Sequence, residues 1–489
     1  LVHIYESNGY IIALDVNSGS VHVVDSLAAD LIEGLEEVYL KHSGSDSLEK
    51  EMQSAARGIL QAGGKAYPEE EIGETVEEIL ELAKDNALYT KDIFEPVIDR
   101  FVENHETVVK ALCLHVAHDC NLGCKYCFAE EGEYHGRRAI MDLETGKKAL
   151  DFLVANSGNR RNLEVDFFGG EPLMNWEVVK ELVRYGRSLE KENRKNFRFT
   201  LTTNGVLLND EVKEFVNREM GNVVLSLDGR KEVHDRMRPF RRGNTNSSYD
   251  LIVPKFQDLA ESRHQDKYYV RGTFTHYNTD FSRDVLHMAD LGFEQISIEP
   301  VVADPAEPYA IKESDLPVIM EEYDKLALEY IRRRKNGKPF HFFHFMLDLE
   351  GGPCVYKRLS GCGAGNEYLA VTPWGDLYPC HQFVGQEDFC IGNVREGILK
   401  REIPDRFKKC NVYAKPECRN CFAKFYCSGG CAANAYHFSK DILTPYEIGC
   451  KMQRKRIECA IMIKVALAEA EAGGETVSTP LGGADAVCR

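Results

Sequence analysis

The sequence predicts an α/β protein: a run of six β-α repeats, flanked by a small N-terminal α+β unit and an irregular C-terminal segment. Three observations predict it. Strand-like and helix-like patterns alternate regularly between residues 109 and 340. The cysteines are confined: of 16, none precedes Cys113, four lie between Cys113 and Cys127, and the rest begin at Cys354. The length, 489 residues, exceeds one ordinary core and suits about three domains.

Residues 1–95 open with alternating runs at 3–14 and 21–25, joined by a turn at 17–20. Helical patterns follow at 27–40, 48–61 and 75–85, with Gly63-Gly64 breaking the chain before the last. Acidic runs, Glu69-Glu70-Glu71 and Glu77-Glu78, give this unit a solvated or partner-facing negative face. The repeats of residues 96–340 supply candidate strands at 111–117, 163–168, 197–202, 223–227, 269–275 and 295–300. Helical patterns at 143–155, 176–191, 210–219, 249–262 and 282–290 lie between them, and a long one at 314–335 follows. Such a run implies parallel strands with right-handed crossovers. An open doubly wound sheet and a barrel-like closure both satisfy it, and both place chemistry at the C-terminal strand ends. Residues 341–460 lose this regularity and are rich in Cys, Gly, Pro and aromatics. Bound metal is the expected staple for a stretch with so little capacity to bury apolar surface. Residues 461–489 begin as an Ala-rich helix and end in small residues.

Net charge −18 opposes a nucleic-acid or anionic-membrane partner. No apolar window is long enough to span a bilayer. The first twenty residues lack the pattern of a secretory signal, so a cytoplasmic location and reduced cysteines are expected.

Chemistry concentrates in two cysteine groups. Cys120-x3-Cys124-x2-Cys127 follows the first repeat strand, at the functional end of the sheet. Three thiolates on one loop can hold three corners of a 4Fe–4S cube and leave one iron without a protein ligand. The alternative is a structural zinc site completed by His115, His118 or His135, which gains nothing from a strand-end position. The run Cys120 to Phe128, with aromatic Tyr126 before the third cysteine, resembles the CxxxCxxC loop of the radical S-adenosylmethionine (SAM) enzymes. Further motifs fit that resemblance: Gly169-Gly170-Glu171-Pro172 after the second strand, Thr203-Asn204 after the third, and Ser226 and Asp228 after the fourth. Arg271 on the fifth strand and Val301 past the sixth complete the set. The resemblance implies a partial (β/α)6 TIM-like barrel in which Cys120, Cys124 and Cys127 hold the catalytic cluster. It also implies that the other residues named, with Tyr126 and Phe128, contact SAM. Arg271 is equally readable as half of a buried structural ion pair.

The second group, Cys362-x12-Gly375-x4-Cys380, then Cys418-x2-Cys421-x5-Cys427-x3-Cys431, then Cys450, resembles the SPASM domain. A zinc ribbon over Cys418 to Cys431 is its alternative. The resemblance implies two auxiliary 4Fe–4S clusters, one on Cys362, Cys380 and Cys431 and one on Cys418, Cys421, Cys427 and Cys450. Cys354 would complete the first, or its fourth iron would be left for a substrate thiolate. Cys113, Cys390, Cys410, Cys459 and Cys488 carry no motif. His381 stands where sulfatase-maturing SPASM enzymes place an Asp, which disfavours formylglycine chemistry.

The N-terminal unit resembles a PqqD-like, winged-helix recognition element for the leader of a ribosomally made peptide, with DNA binding as the rival use. The whole most resembles SCIFF-peptide maturases. That implies three 4Fe–4S clusters, SAM, a Cys-rich precursor peptide and an electron donor such as flavodoxin or ferredoxin. The reaction implied is a thioether bond from a Cys sulfur to a carbon, typically of Thr. Dehydrogenation, carbon–carbon cross-linking, a zinc adaptor and an electron carrier are the competing readings.

Overall fold

A computed structural model describes residues 1–134, 136–241, 243–349 and 354–471. His135 and Cys488 lie outside the described residues, as does the end of the expected tail. Among the described residues no helix is long and apolar enough to cross a membrane.

The N-terminal unit is a three-stranded antiparallel sheet, β1 (Val2–Ser7), β2 (Tyr10–Asp15) and β3 (Val21–Val23), with α1 (Ser26–His42), α2 (Leu48–Ala62) and α3 (Glu69–Lys84). The sequence pattern over 3–14 suggests one run. Instead Asn8 and Gly9 adopt left-handed φ of 51° and 86° and fold it into a tight hairpin, the signature of an Asn-Gly turn. Leu27, Leu31, Leu35, Met52, Ala56, Ile72, Val76 and Ile79 form its separate core.

This unit docks on the cysteine-rich segment. His3 stacks on Phe422 at 3.6 Å between ring centroids and its Nε2 meets Glu458 at 2.9 Å. In the linker, Asp92 accepts from Tyr413 at 2.8 Å and from the buried Lys424 ammonium at 2.7 Å. Asp92→Ala leaves that ammonium buried without a carboxylate. We expect a loss of about 3–5 kcal/mol in denaturant unfolding, and an effect below about 1 kcal/mol would show the docking to be incidental.

After α4 (Ile98–Asn104) the core begins with β4 (Ala111–His118), which pairs with the short β5 (Ala139–Ile140). Then come α5 (Leu143–Asn156), β6 (Asn162–Gly169), α6 (Trp176–Asn193), β7 (Asn196–Thr203), α7 (Asp210–Glu219) and β8 (Met220–Ser226). The run continues with α8 (Lys231–Met237), α9 (Ser248–Ser262), β9 (Tyr268–Phe274), α10 (Ser282–Asp290), β10 (Gln295–Pro300) and α11 (Leu316–Lys335). Strands β4, β6, β7, β8, β9 and β10 are parallel neighbours in strict chain order. A doubly wound sheet reverses order at a switch point, and this one does not, which selects the barrel-type winding. Residues Leu112, Leu114, Leu163, Val165, Phe199, Leu201, Val223 and Leu225 are fully buried in its wall.

The sheet extends beyond the six strands. β11 (His341–Phe342) adds in parallel to β10. After α12 (Val355–Ser360), β12 (Tyr368–Val371) adds in parallel to β4, and β13 (Asp376–Tyr378), β14 (Gly392–Asn393) and β15 (Gly397–Ile398) follow antiparallel. The remainder is helical: α13 (Glu402–Lys408), α14 (Pro416–Arg419), α15 (Lys424–Cys427), α16 (Ala432–Ser439) and α17 (Glu447–Glu471). Because α17 runs unbroken through residue 460, the expected tail starts inside a helix of the cysteine-rich segment.

Candidate active site

A cavity of about 550 Å³ lies between the C-terminal ends of the core strands and the cysteine-rich segment. Its floor is the loop after β4, carrying Cys120, Cys124, Tyr126, Cys127 and Phe128. Its walls include Gly169, Gly170, Thr203, Asn204, Ser226, Arg271 and Val301. Its roof is formed by His381, Cys427, Cys431 and Cys450, together with residues of α17 such as Gln453 and Arg456.

Two neighbours fix the first loop. On one side Gly170 N donates to Ala117 O at 2.8 Å and Glu171 N to Asp119 O at 2.9 Å. The approach is so close that a Cβ on Gly169 would stand 2.3 Å from the Ala117 carbonyl oxygen, and one on Gly170 2.1 Å from that of Asp119. Gly169 also has φ +126°, a region that excludes side chains. On the other side the segment after α8 holds the loop. Gly123 N donates to Pro239 O and Lys125 N to Met237 O, each at 2.9 Å, and Arg241 donates to Asp119 and to Cys120 O.

Two of the expected SAM contacts lie behind the wall instead of in it. Glu171 is fully buried. It accepts from Thr203 Oγ1 at 2.7 Å, Asn204 N at 2.8 Å and Leu173 N at 3.0 Å, so it clamps two strand ends together. Burial pushes its carboxyl up to about 7 against those donors. Asp228 is also fully buried, accepting from the Tyr126 hydroxyl at 2.6 Å, Thr273 N at 3.0 Å and Arg238 Nε at 3.1 Å. Each carboxylate accepts from three of the protein's own donors and so helps to shape the site.

Arg271 does face the cavity, with its side chain about half exposed and Glu299 4.0 Å away. Burial would raise the Glu299 carboxyl, but His344, Arg456 and Arg271 together hold it near 2. The structural ion pair expected for Arg271 thus exists but is loose, and the guanidinium is presented to the cavity.

The thiols fall into three sets. Burial pushes Cys120 up to about 12, with Glu171 and Cys127 adding to it, and Cys124 rises under burial beside Cys120 and Cys127. Cys380 rises under burial with Cys431 and Cys362 as its thiol neighbours. Cys418, pushed by burial to about 11, has Cys427 and Cys421; Cys450, pushed by burial to about 12, has Cys427 and Cys418. Cys354 is exposed at the start of α12 and is not among the groups acting most strongly on Cys380 or Cys431. Cys410, which has no motif, is buried next to Cys362.

The donor set fits an iron–sulfur group in each place. Among the described residues no three His, Cys, Asp or Glu side chains converge tightly enough for a single ion, whose Zn–S bonds of about 2.3 Å would pinch them together. Two histidines of the zinc alternative face each other, His115 Nδ1 to His118 Nε2 at 3.1 Å, packed on Tyr134. N–H and cationic groups face the thiols, as thiolate sulfur requires. Asn204 Nδ2 lies 3.6 Å from the Cys120 sulfur, and the Arg238 charge opposes the upward push on Cys124.

Sequence reasoning missed Arg238, Arg241, Glu299, His344 and Arg456. The cluster of arginines at Arg236, Arg238, Arg241 and Arg242, directly after a strand-end motif, is the one signal that points to two of them.

Comparison with known proteins agrees with this layout. Residues 114–252 match the radical SAM superfamily model and residues 362–422 the SPASM model, described as an iron–sulfur cluster-binding domain. These domains imply SAM and 4Fe–4S clusters. The chain is similar to the radical SAM cyclopropyl synthase TigE of Paramaledivibacter caminithermalis, at 23% identity over 66% of this chain and 68% of that protein. It is also similar to the cysteine-type anaerobic sulfatase-maturating enzyme of Clostridium novyi, at 24% identity over 65% of this chain and 86% of that one. A solved structure described as native anSMEcpe with bound AdoMet and Kp18Cys peptide shares the fold. Its TM-score is 0.60 at 18% identity, covering 74% of this chain and 99% of that one.

Proposed function

We propose that this chain, which carries a radical SAM domain followed by a SPASM iron–sulfur domain, is a maturase that joins a Cys sulfur to a carbon of a ribosomally made, Cys-rich precursor peptide. The observation that supports this best is the single cavity onto which the first cysteine loop and cysteines of both SPASM sets open. A carbon held over the floor and a thiol held under the roof share one enclosed space. Relatives point the same way: sulfatase-maturating enzymes act on a protein substrate, and the anSMEcpe structure contains a peptide.

When bound, SAM and the clusters supply what side chains cannot: a 5′-deoxyadenosyl radical and an acceptor for one electron. The chain's residues do the rest. The open guanidinium of Arg271 suits the SAM carboxylate, the Thr203, Asn204 and Ser226 polar groups suit its amino acid and ribose, and Val301 offers an apolar wall. The cap of α17 and the SPASM loops excludes water. Closing the bond removes one hydrogen atom from carbon, one proton from the thiol and one electron, so the product is two hydrogens lighter. On this reading the first auxiliary cluster either takes Cys354 as its fourth ligand or leaves that position for the substrate's sulfur. In the N-terminal unit, β1 is committed to α17 through His3 and Tyr5, while β3 keeps an unpaired outer edge among the described residues. A leader adding there as a strand would lie beside the segment after α3, where His22 of β3 meets Ala87 O at 2.9 Å.

Anaerobically purified protein, given reductant, SAM and a Cys-rich precursor peptide, is expected to release 5′-deoxyadenosine. The peptide should lose two mass units and one alkylatable thiol. A product two units lighter with every thiol still reactive would replace this reading with dehydrogenation or carbon–carbon cross-linking.

A further inference from the structure

Lys415 is only 2% exposed, and among the described residues it forms no ion pair with a carboxylate. The fold's other buried lysine, Lys424, has Asp92 at 2.7 Å. Lys415 Nζ donates instead to the carbonyl of Gly429 at 2.6 Å. Gly429 lies in the four-bond connection from Cys427 to Cys431, where Ser428, Gly429 and Gly430 are all left-handed, with φ of 57°, 80° and 74°. Cys427 belongs to one auxiliary set and Cys431 to the other, so the ammonium is seated where the two sets meet.

A buried ammonium whose hydrogen bond is to a neutral carbonyl is costly unless negative charge stands close by. Cysteinyl iron–sulfur groups carry net negative charge, and their potentials depend on the charges and hydrogen bonds around them. We infer that Lys415 is the shared counter-charge of the two auxiliary clusters, a positioning residue that holds both at a higher reduction potential than the thiolates alone would set. This rests on the assignment of those clusters to the two SPASM cysteine sets.

The test is an anaerobic redox titration followed by electron paramagnetic resonance on the iron-loaded full chain. Lys415→Met keeps length and removes charge; Lys415→Gln keeps a hydrogen-bond donor for Gly429 O; Lys415→Arg keeps the charge. We expect Met and Gln to lower the potentials of both auxiliary signals, leave the SAM-binding signal in place, and Arg to restore them. If Met and Gln fail to load auxiliary iron while Arg loads it, the charge is needed for assembly and the inference stands. Unmoved potentials in a fully loaded Met or Gln variant would overturn it, as would loss of iron in the Arg variant too. Wild-type protein binding only about four irons would instead remove the auxiliary-cluster assignment itself.

Discussion

Gly170→Ala is expected to strip the first cysteine loop of its cluster while sparing the SPASM iron, a loss of about four iron atoms. The new Cβ would stand 2.1 Å from the Asp119 carbonyl oxygen and 2.6 Å from its carbonyl carbon. Both are backbone atoms, so no side chain can rotate away. Asp119 immediately precedes Cys120 and accepts the Glu171 N–H that locks the loop to the strand end. Displacing it moves the first thiol, and a misplacement of about 1 Å costs on the order of a hundredfold in rate. SAM cleavage should therefore fall at least that far. Iron analysis and 5′-deoxyadenosine release report the two quantities separately. Wild-type values in both would mean that the Gly-Gly turn tolerates a side chain and that the packing described is slack.

The second large effect is at Asp228. Among the described residues it is the one carboxylate paired with the Arg238 guanidinium, whose side chain is 12% exposed. Removing one partner of a buried pair costs about 3–5 kcal/mol, because the other charge stays buried. Asp228→Ala should lose that much in anaerobic denaturant unfolding. It also releases the Tyr126 hydroxyl and the Arg238 charge, both of which border the thiols, so cluster retention on dilution should shorten. Asp228→Asn keeps the shape and loses the charge; it is expected to fall between. A change below about 1 kcal/mol in the Ala variant would place the pair among surface-like contacts.

The six core strands were legible because a buried parallel strand is a short apolar run bounded by turn residues, a signal local to each segment. Ala111–His118 and Gln295–Pro300 coincide with their expected ranges to within a residue. The β1–β2 hairpin was missed because Asn8-Gly9 interrupts an alternation that otherwise continues on both sides. The cysteines were legible through spacing alone. Their supports were not: Arg241 reaches Cys120 across 121 residues of chain, and no local pattern records such a pairing. Glu171 and Asp228 show the opposite limit. Their motifs located the site, yet burial assigns their oxygens to the protein's own donors. Lys415 has no motif of its own, and only its lack of exposure marks it.

The parallel pairing of β12 with β4 has a consequence for how the chain is made. Lys110 and Glu367, which clasp that junction, are 257 residues apart, and until β12 emerges the Ala111–Leu114 part of that β4 edge has no strand partner, β5 covering only Ala117 and His118. A nascent chain therefore exposes a bare stretch of core strand edge at Ala111–Leu114 through much of its synthesis. Contacts this distant in sequence form late, and an unpaired edge invites association with other chains in the meantime. Fragments ending before residue 368 should collect as aggregates, and iron delivery to the first loop is best timed after the last third of the chain has been released.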